Sequence, residues 1–152
     1  VITVSDTRSL ADDSGGALVC ELLEGAGHRV ASREIVRDDV AEIRAALERA
    51  LASAECAAAI LTGGTGVAPR DVTPEAVAPL LERPLPGFGE LFRQLSFAEI
   101  GSAAMVSRAL GGLARGKPVF ALPGSRAAVR LGLERLILPE LGHLAGEASK
   151  RG

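Results

Sequence analysis

The chain has no tryptophan, no tyrosine and four phenylalanines. A platform of aromatic rings for stacked bases is therefore missing. A basic surplus is missing too: 17 Lys and Arg stand against 19 Asp and Glu, for a formal net charge of −2. A dedicated nucleic-acid binder would show the opposite balance. The two histidines, His28 and His143, are too scattered for a zinc site. Cys20 and Cys56 show no CxxC spacing and read as buried free thiols. No run approaches the roughly 18 uncharged apolar residues of a membrane span, and no leader pattern opens the sequence. These absences point to a soluble cytoplasmic protein that engages neither nucleic acid nor membrane. Val1 already lies inside a strand-like run, so a few residues are expected before it.

What is present is a chain of 152 residues, 47% hydrophobic, which suits one domain with a real core. The expected domain covers 1–152, with a small, polar tail over about 146–152 that frays. Val1–Ser5 reads as a buried strand. Asp12-Asp13-Ser14-Gly15 then caps a helix with Leu18, Leu22 and Ala26 on one stripe, and Gly25 and Gly27 stop it. His28–Val36 contains a second strand, and the spacing of Val40, Ile43 and Leu47 predicts a helix over about 40–52. Ala57–Thr62 is a continuous apolar run, as in a parallel strand buried on both faces. Thr73 is a candidate N-cap with Pro74 at the first helical position, and that short helix reaches about Leu81.

"PLPGFG" (84–89) reads as punctuation, and "ELFRQLSF" (90–97) as helix. Two short extended runs follow among glycines, with Ser107-Arg108 near the end of the first and Pro118–Leu122 as the second. Ser125 caps a last helix carrying Val129, Leu133, Leu136 and Ile137, which Pro139 breaks or ends. Strands and helices alternate, so the fold class is α/β, a mostly parallel sheet between helical layers.

In such sheets ligands bind where strands end and helices begin. The Ala57–Thr62 strand delivers Gly63-Gly64-Thr65-Gly66 to that edge. Glycine lets a ligand approach the backbone, successive N–H groups can hold an anion, and Thr62 and Thr65 add hydroxyls. Phosphate suits such a seat, although tight strand-to-helix turns also carry glycine for structural reasons. The loop is neither a Walker A motif nor a GxGxxG fingerprint.

Asp71 is either a turn aspartate paired with Arg70 or a carboxylate that holds Mg²⁺ against phosphates. Asp38 either caps the next helix or faces the same edge as Asp71. "PGFGE" (86–90) and "ALPGS" (121–125) read as further glycine turns, the second a possible anion seat. Ser107-Arg108 serves a ligand or marks the surface. Arg93 and Lys117 read as ordinary surface charges.

Taken in order, "VSDTR" (4–8), "DDSG" (12–15), "LTGGTG" (61–66), "RDVTPEA" (70–76), "PGFGELFR" (86–93), "SFAEIG" (96–101), "SRALGG" (107–112) and "ALPGS" (121–125) resemble the MoaB/MogA family of molybdenum cofactor biosynthesis proteins. The stretch 87–101 and the ending after 125 sit closer to its MoaB branch. The resemblance implies a three-layer α/β/α molybdopterin-binding fold. For active members it implies adenylylation of molybdopterin by ATP with Mg²⁺, releasing pyrophosphate. Homotrimers or hexamers and other proteins of the same pathway are the implied partners.

The family's catalytic, metal-holding acids fall on Asp38 and Asp71, and its ligand loop on Thr62, Gly63, Gly64, Thr65 and Gly66. Ser107 matches its pterin-side serine, Gly124 and Ser125 its "PG" turn, and Asp13 and Ser14 an early acidic loop. Arg70 is a candidate cation for the leaving pyrophosphate. The alternatives are a MoaB-type protein that binds molybdopterin without adenylyl transfer, a nucleotide-cleaving relative in the competence-damage family, and a trimer-forming scaffold.

Overall fold

Residues 59–62 form the central strand of the sheet in a computed structural model that describes residues 1–149. The elements are β1 (Ile2–Val4), α1 (Ser14–Gly25), β2 (Glu34–Val36), α2 (Val40–Ala52), β3 (Ala59–Thr62), α3 (Thr73–Val77), β4 (Arg83–Pro84), α4 (Pro86–Ile100), β5 (Leu110–Ala114), β6 (Lys117–Leu122), α5 (Arg126–Gly132) and α6 (Leu138–Ser149). The sheet order is β2-β1-β3-β6-β5-β4. β2, β1, β3 and β6 run parallel, and β5 is antiparallel to both of its neighbours.

Alternation along the central strands builds two cores. On β3 and β6, Ile60, Phe120 and Leu122 face one side, where they meet Leu18 and Val19 of α1, Phe92 of α4 and Val129 of α5. Leu61, Val119 and Ala121 face the other side, against Ile43 and Leu47 of α2 and Val77 of α3. A strand buried on both faces has no polar face, which is why 57–62 reads as unbroken apolar sequence. The result is the three-layer α/β/α arrangement.

Several local expectations are corrected. Pro86–Glu90 is the first turn of α4, not a glycine turn: Pro86 supplies a helical φ at a position that needs no N–H donor, and Gly89 lets the helix close on β5. A Cβ on Gly89 would lie 2.8 Å from the carbonyl oxygen of Ala109. Thr73 is the first residue of α3 and does not cap it. Pro139 neither breaks nor ends the last helix. Leu133–Ile137 winds as one π-helical turn, and Pro139 then falls in the first turn of α6, which runs on to Ser149. Gly146–Ser149 is therefore helical, and 150–152 lie outside the described residues.

Ser107-Arg108 precedes β5 and does not end an extended run. Lys117 donates to the carbonyls of Leu51 and Ser53, each at 2.7 Å, so it closes the C-terminus of α2, where a cation also suits the helix dipole. Arg93 is half-buried and donates to the carbonyls of Ser107 and Ala109. Both cysteines are free but only half-buried.

Asp13 joins the front of the fold together. It caps α1 through Gly16 N at 2.9 Å, and its other oxygen accepts from the Thr3 hydroxyl at 2.7 Å and from Arg33 at 2.9 Å. Burial pushes its carboxyl up, but the Gly16 N–H, Arg33 and Thr3 outweigh that and hold it below the usual range. A depressed carboxyl contributes stability above its ordinary value, about 3.9, and loses it as pH falls through the lower native value. Asp13→Ala should cost about 2–4 kcal/mol at neutral pH, from the lost cap and the orphaned arginine. Urea melts of wild type and variant should converge in strong acid.

Candidate functional site

β1 lies between β2 and β3, so the chain leaves β1 toward one side of the sheet and returns on the other. That reversal opens a crevice at the C-terminal strand edge. Because β1, β2, β3 and β6 are parallel, their ends deliver Ser5-Asp6, Arg37-Asp38, Thr62–Gly66 and Pro123–Ser125 to this one edge. A cavity of about 280 Å³ lies there, bordered by Ser5, Arg8, Asp13, Thr62, Gly63 and Ser125.

The glycine loop is shaped by its neighbours. Gly63 has φ +102° and Gly64 φ +63°, a region that disfavours a side chain. Space is denied as well: a Cβ on Gly63 would lie 2.3 Å from the Val4 carbonyl oxygen. The loop is held by Gly63 N donating to Leu122 O at 2.9 Å, Thr73 N to Gly64 O at 3.0 Å, and the Thr73 hydroxyl to Gly63 O at 2.9 Å. The Gly63 N–H and the Thr62 hydroxyl, which donates to Pro123 O, are therefore spent inside the protein. Among the described residues, the N–H groups of Gly64, Thr65 and Gly66 have no acceptor. The anion seat is narrower than the sequence suggests.

Two carboxylates stand over this seat. A Cβ on Gly64 would meet Asp38 Oδ1 at 2.8 Å, and one on Gly66 would meet Asp71 Oδ2 at 2.7 Å. Asp38 does not cap α2. Its neighbour Asp39 does, accepting from Glu42 N at 3.0 Å, which leaves Asp38 to face the edge. Asp71 does not pair with Arg70. Its Oδ2 accepts from Ala68 N at 2.9 Å, and its own N–H returns to Ala68 O at 2.8 Å. Arg70 is exposed and makes no ion pair among the described residues.

Asp6 joins the group and was not singled out from the sequence: its Oδ1 accepts from Asp38 N at 3.1 Å. Burial, then the negative charges of Asp6 and Asp71, push the Asp38 carboxyl up, and Arg70 draws it partly back. Among the described residues no three acidic, His or Cys side chains are grouped to cage a metal. Mg²⁺ does not ask for a cage; it takes one or two carboxylates and fills the remaining positions with phosphate oxygens and water. A repelling, half-buried pair beside open N–H donors fits that donor set.

The remaining candidates lie around the loop. Ser125 caps α5 through Ala128 N at 3.2 Å, and a Cβ on Gly124 would sit 3.4 Å from Gly63 Cα. Ser14 begins α1, its hydroxyl 3.5 Å from Arg8 and its carbonyl accepting from Arg126. Ser107 does not line the cavity; it precedes Arg108, whose backbone N–H donates to Thr65 O at 2.9 Å. Arg108, read from the sequence with Ser107 as serving a ligand or marking the surface, instead turns inward and braces the loop.

The raised Asp38 carboxyl carries a sign. Its ionised form is penalised in the folded protein, so its destabilising contribution grows as pH rises from about 3.9 to the raised native value, and then persists. Asp38→Asn should raise the melting temperature of the metal-free protein at neutral pH, and the gain should vanish below that range. Added Mg²⁺ should stabilise the wild type more than the variant. Calorimetric melts check both.

Residues 1–143 match the family described as "Probable molybdopterin binding domain". Molybdenum cofactor biosynthesis protein B of Halalkalibacterium halodurans is 49% identical over 151 residues, covering 99% of this chain and 89% of that protein. Its counterpart in Bacillus subtilis is 48% identical over 151 residues, with 99% and 89% covered. A crystal structure of molybdenum cofactor biosynthesis protein B superposes with a TM-score of 0.95 at 49% identity, covering 99% and 94% of the two chains. The tungsten cofactor synthesizing protein MoaB from Pyrococcus furiosus follows at 0.86 and 39%, with 98% and 94% covered. The CinA protein from Thermoplasma acidophilum, at 21% identity and a TM-score of 0.62, shares the fold alone. By sequence over nearly its whole length, and by fold, the chain belongs to the MoaB/MogA family of molybdenum cofactor biosynthesis proteins, on its MoaB side.

Proposed function

We propose that the chain binds molybdopterin and ATP at this strand edge and transfers an adenylyl group to the molybdopterin phosphate. One observation carries the reading: Asp38 and Asp71 stand against a loop whose Gly64, Thr65 and Gly66 N–H groups have no partner within the described protein. Anion donors and unneutralised carboxylates side by side at one strand edge suit a ligand that brings both phosphate and a cation.

In the reaction, a phosphate oxygen of molybdopterin attacks the α-phosphorus of ATP. A P–O–P bond forms as the bond from the α-phosphorus to the bridging oxygen breaks, and pyrophosphate leaves with the electron pair. Mg²⁺, when bound, would screen the phosphate charge that Asp38 and Asp71 would otherwise repel. The protein's part is positioning and charge placement, as in phosphoryl transfer generally. The backbone of Gly64–Gly66 orients phosphate oxygens, while Asp38 and Asp71 fix the cation. Arg8 and Ser125 border the cavity where the pterin side would lie, with Ser107 beside the loop. Arg70, exposed and close enough for its charge to act on Asp38, would meet the departing pyrophosphate.

The protein is also proposed to act as a homotrimer or hexamer, in the cytoplasm, with other proteins of the pathway as partners. Supporting the assembly, Phe97 (63% exposed), Ile100 (60%) and Met105 (78%) leave an apolar surface along the end of α4 and the 3₁₀ segment Gly101–Val106. Ile100→Asp should lower the mass seen by sedimentation without unfolding the chain.

The reaction is tested with purified protein, molybdopterin, ATP and Mg²⁺, following pyrophosphate and the adenylylated pterin. Wild type should give both, and Asp71→Asn should lose at least about 100-fold in rate, the scale of a lost electrostatic stabiliser. Pterin binding with no pyrophosphate from the wild type would replace transferase with carrier.

A further inference from the structure

Arg108 makes four connections, three to one loop and one to the helix that follows it. Its backbone N–H donates to Thr65 O at 2.9 Å and its Nε to Gly66 O at 2.7 Å. Its Nη2 donates to Asp71 O, and its Nη1 pairs with Glu75 on α3. The side chain is about one-third exposed (34%). The three carbonyls belong to the two ends of the same excursion, the anion seat at Thr65-Gly66 and the carboxylate at Asp71.

Peptide planarity gives these contacts a direction. In a trans peptide the N–H points opposite to the C=O of the same unit. Holding Thr65 O toward Arg108 therefore turns the Gly66 N–H away from Arg108. Holding Gly66 O does the same for the Val67 N–H. Because the guanidinium is a planar fork with fixed donor directions, the bonds to Gly66 O and Asp71 O also set the distance between the seat and the carboxylate. Glu75 holds the fork in place from the helix. Each of the three guanidinium nitrogens is engaged by a protein acceptor, two carbonyls and one carboxylate.

We propose that Arg108 is a positioning residue that locks the Thr65–Asp71 loop, so that the open N–H groups and the Asp71 carboxylate meet Mg-ATP in one fixed geometry without Arg108 touching the nucleotide. This rests on the nucleotide reading above. It also separates Arg108 from the cations expected to contact phosphate: lysine keeps the charge but cannot span Gly66 O, Asp71 O and Glu75 as a fork.

The test compares wild type, Arg108→Ala, Arg108→Lys and Glu75→Gln by amide hydrogen exchange of the peptide spanning 63–72, and by calorimetric binding and turnover of Mg-ATP. Both Arg108 variants should exchange the loop amides at least about tenfold faster, with α1 and β6 unchanged. Both should weaken Mg-ATP binding by a similar factor. Glu75→Gln should fall between them and wild type.

Rescue by lysine to wild-type affinity would overturn the proposal, because charge alone would then suffice. So would unchanged loop exchange in both Arg108 variants, or a loosened loop with unchanged nucleotide affinity. Should Arg108→Ala fail to fold, the lysine and Glu75 variants decide. A wild type that binds no Mg-ATP would remove the nucleotide reading and, with it, the role assigned to the lock, while loop exchange would still report the lock itself. A wild type that binds Mg-ATP without turnover removes only the transferase chemistry.

Discussion

The close approach of β3 to β1 governs the site. Where β3 ends, Gly63 lies so near the Val4 carbonyl that no side chain fits between them. The next residue turns through positive φ and comes against Asp38 at the end of β2. A carboxylate from one strand is thereby set beside the backbone of another. The Gly63 N–H and O are consumed in holding this turn, by Leu122 and Thr73. The three residues that follow keep their N–H donors to spare. A side chain at Gly63 would remove the crevice along with the loop, since both depend on the same contact.

Charge at the edge is arranged in two opposite ways. Asp13, nearly buried, has each oxygen satisfied and a guanidinium beside it, so it strengthens the fold. Asp38 has burial and two like charges against it, so it weakens the apo fold. Proteins keep such locally unfavourable groups where a ligand relieves them. The contrast separates Asp13, a scaffold acid, from Asp38, the acid proposed to hold the cation, which proximity to the cavity does not do, because it is Asp13 that borders that cavity.

The layers and most elements could be read from the sequence because the central strands are apolar on both faces and the helices carry clear stripes. The alternation of Ile60, Leu61, Phe120 and Ala121 between two cores needs both sheet faces covered, and the chain order supplies helices for both. Glycine and proline misled where packing, rather than a turn, required them: Gly89 admits the Ala109 carbonyl, and Pro86 starts a helix. Asp38 and Asp71 could be placed at one edge from their positions after strands. Which aspartate caps α2, and whether Arg70 pairs with Asp71, depended on local geometry that spacing does not encode. Ser107-Arg108 could be marked as a ligand-or-surface pair, but the bracing role of Arg108 could not be read, because two of its partners are carbonyls 37 and 42 residues away, and backbone acceptors leave no mark in sequence.

A crystal structure with Mn²⁺ in place of Mg²⁺ and a non-hydrolysable ATP analogue tests the central claim most directly. The account predicts an anomalous peak bridging Asp38, Asp71 and the phosphates, with phosphate oxygens accepting from the N–H groups of Gly64, Thr65 and Gly66. A nucleotide bound away from this loop, or an ion that touches neither carboxylate, would contradict it.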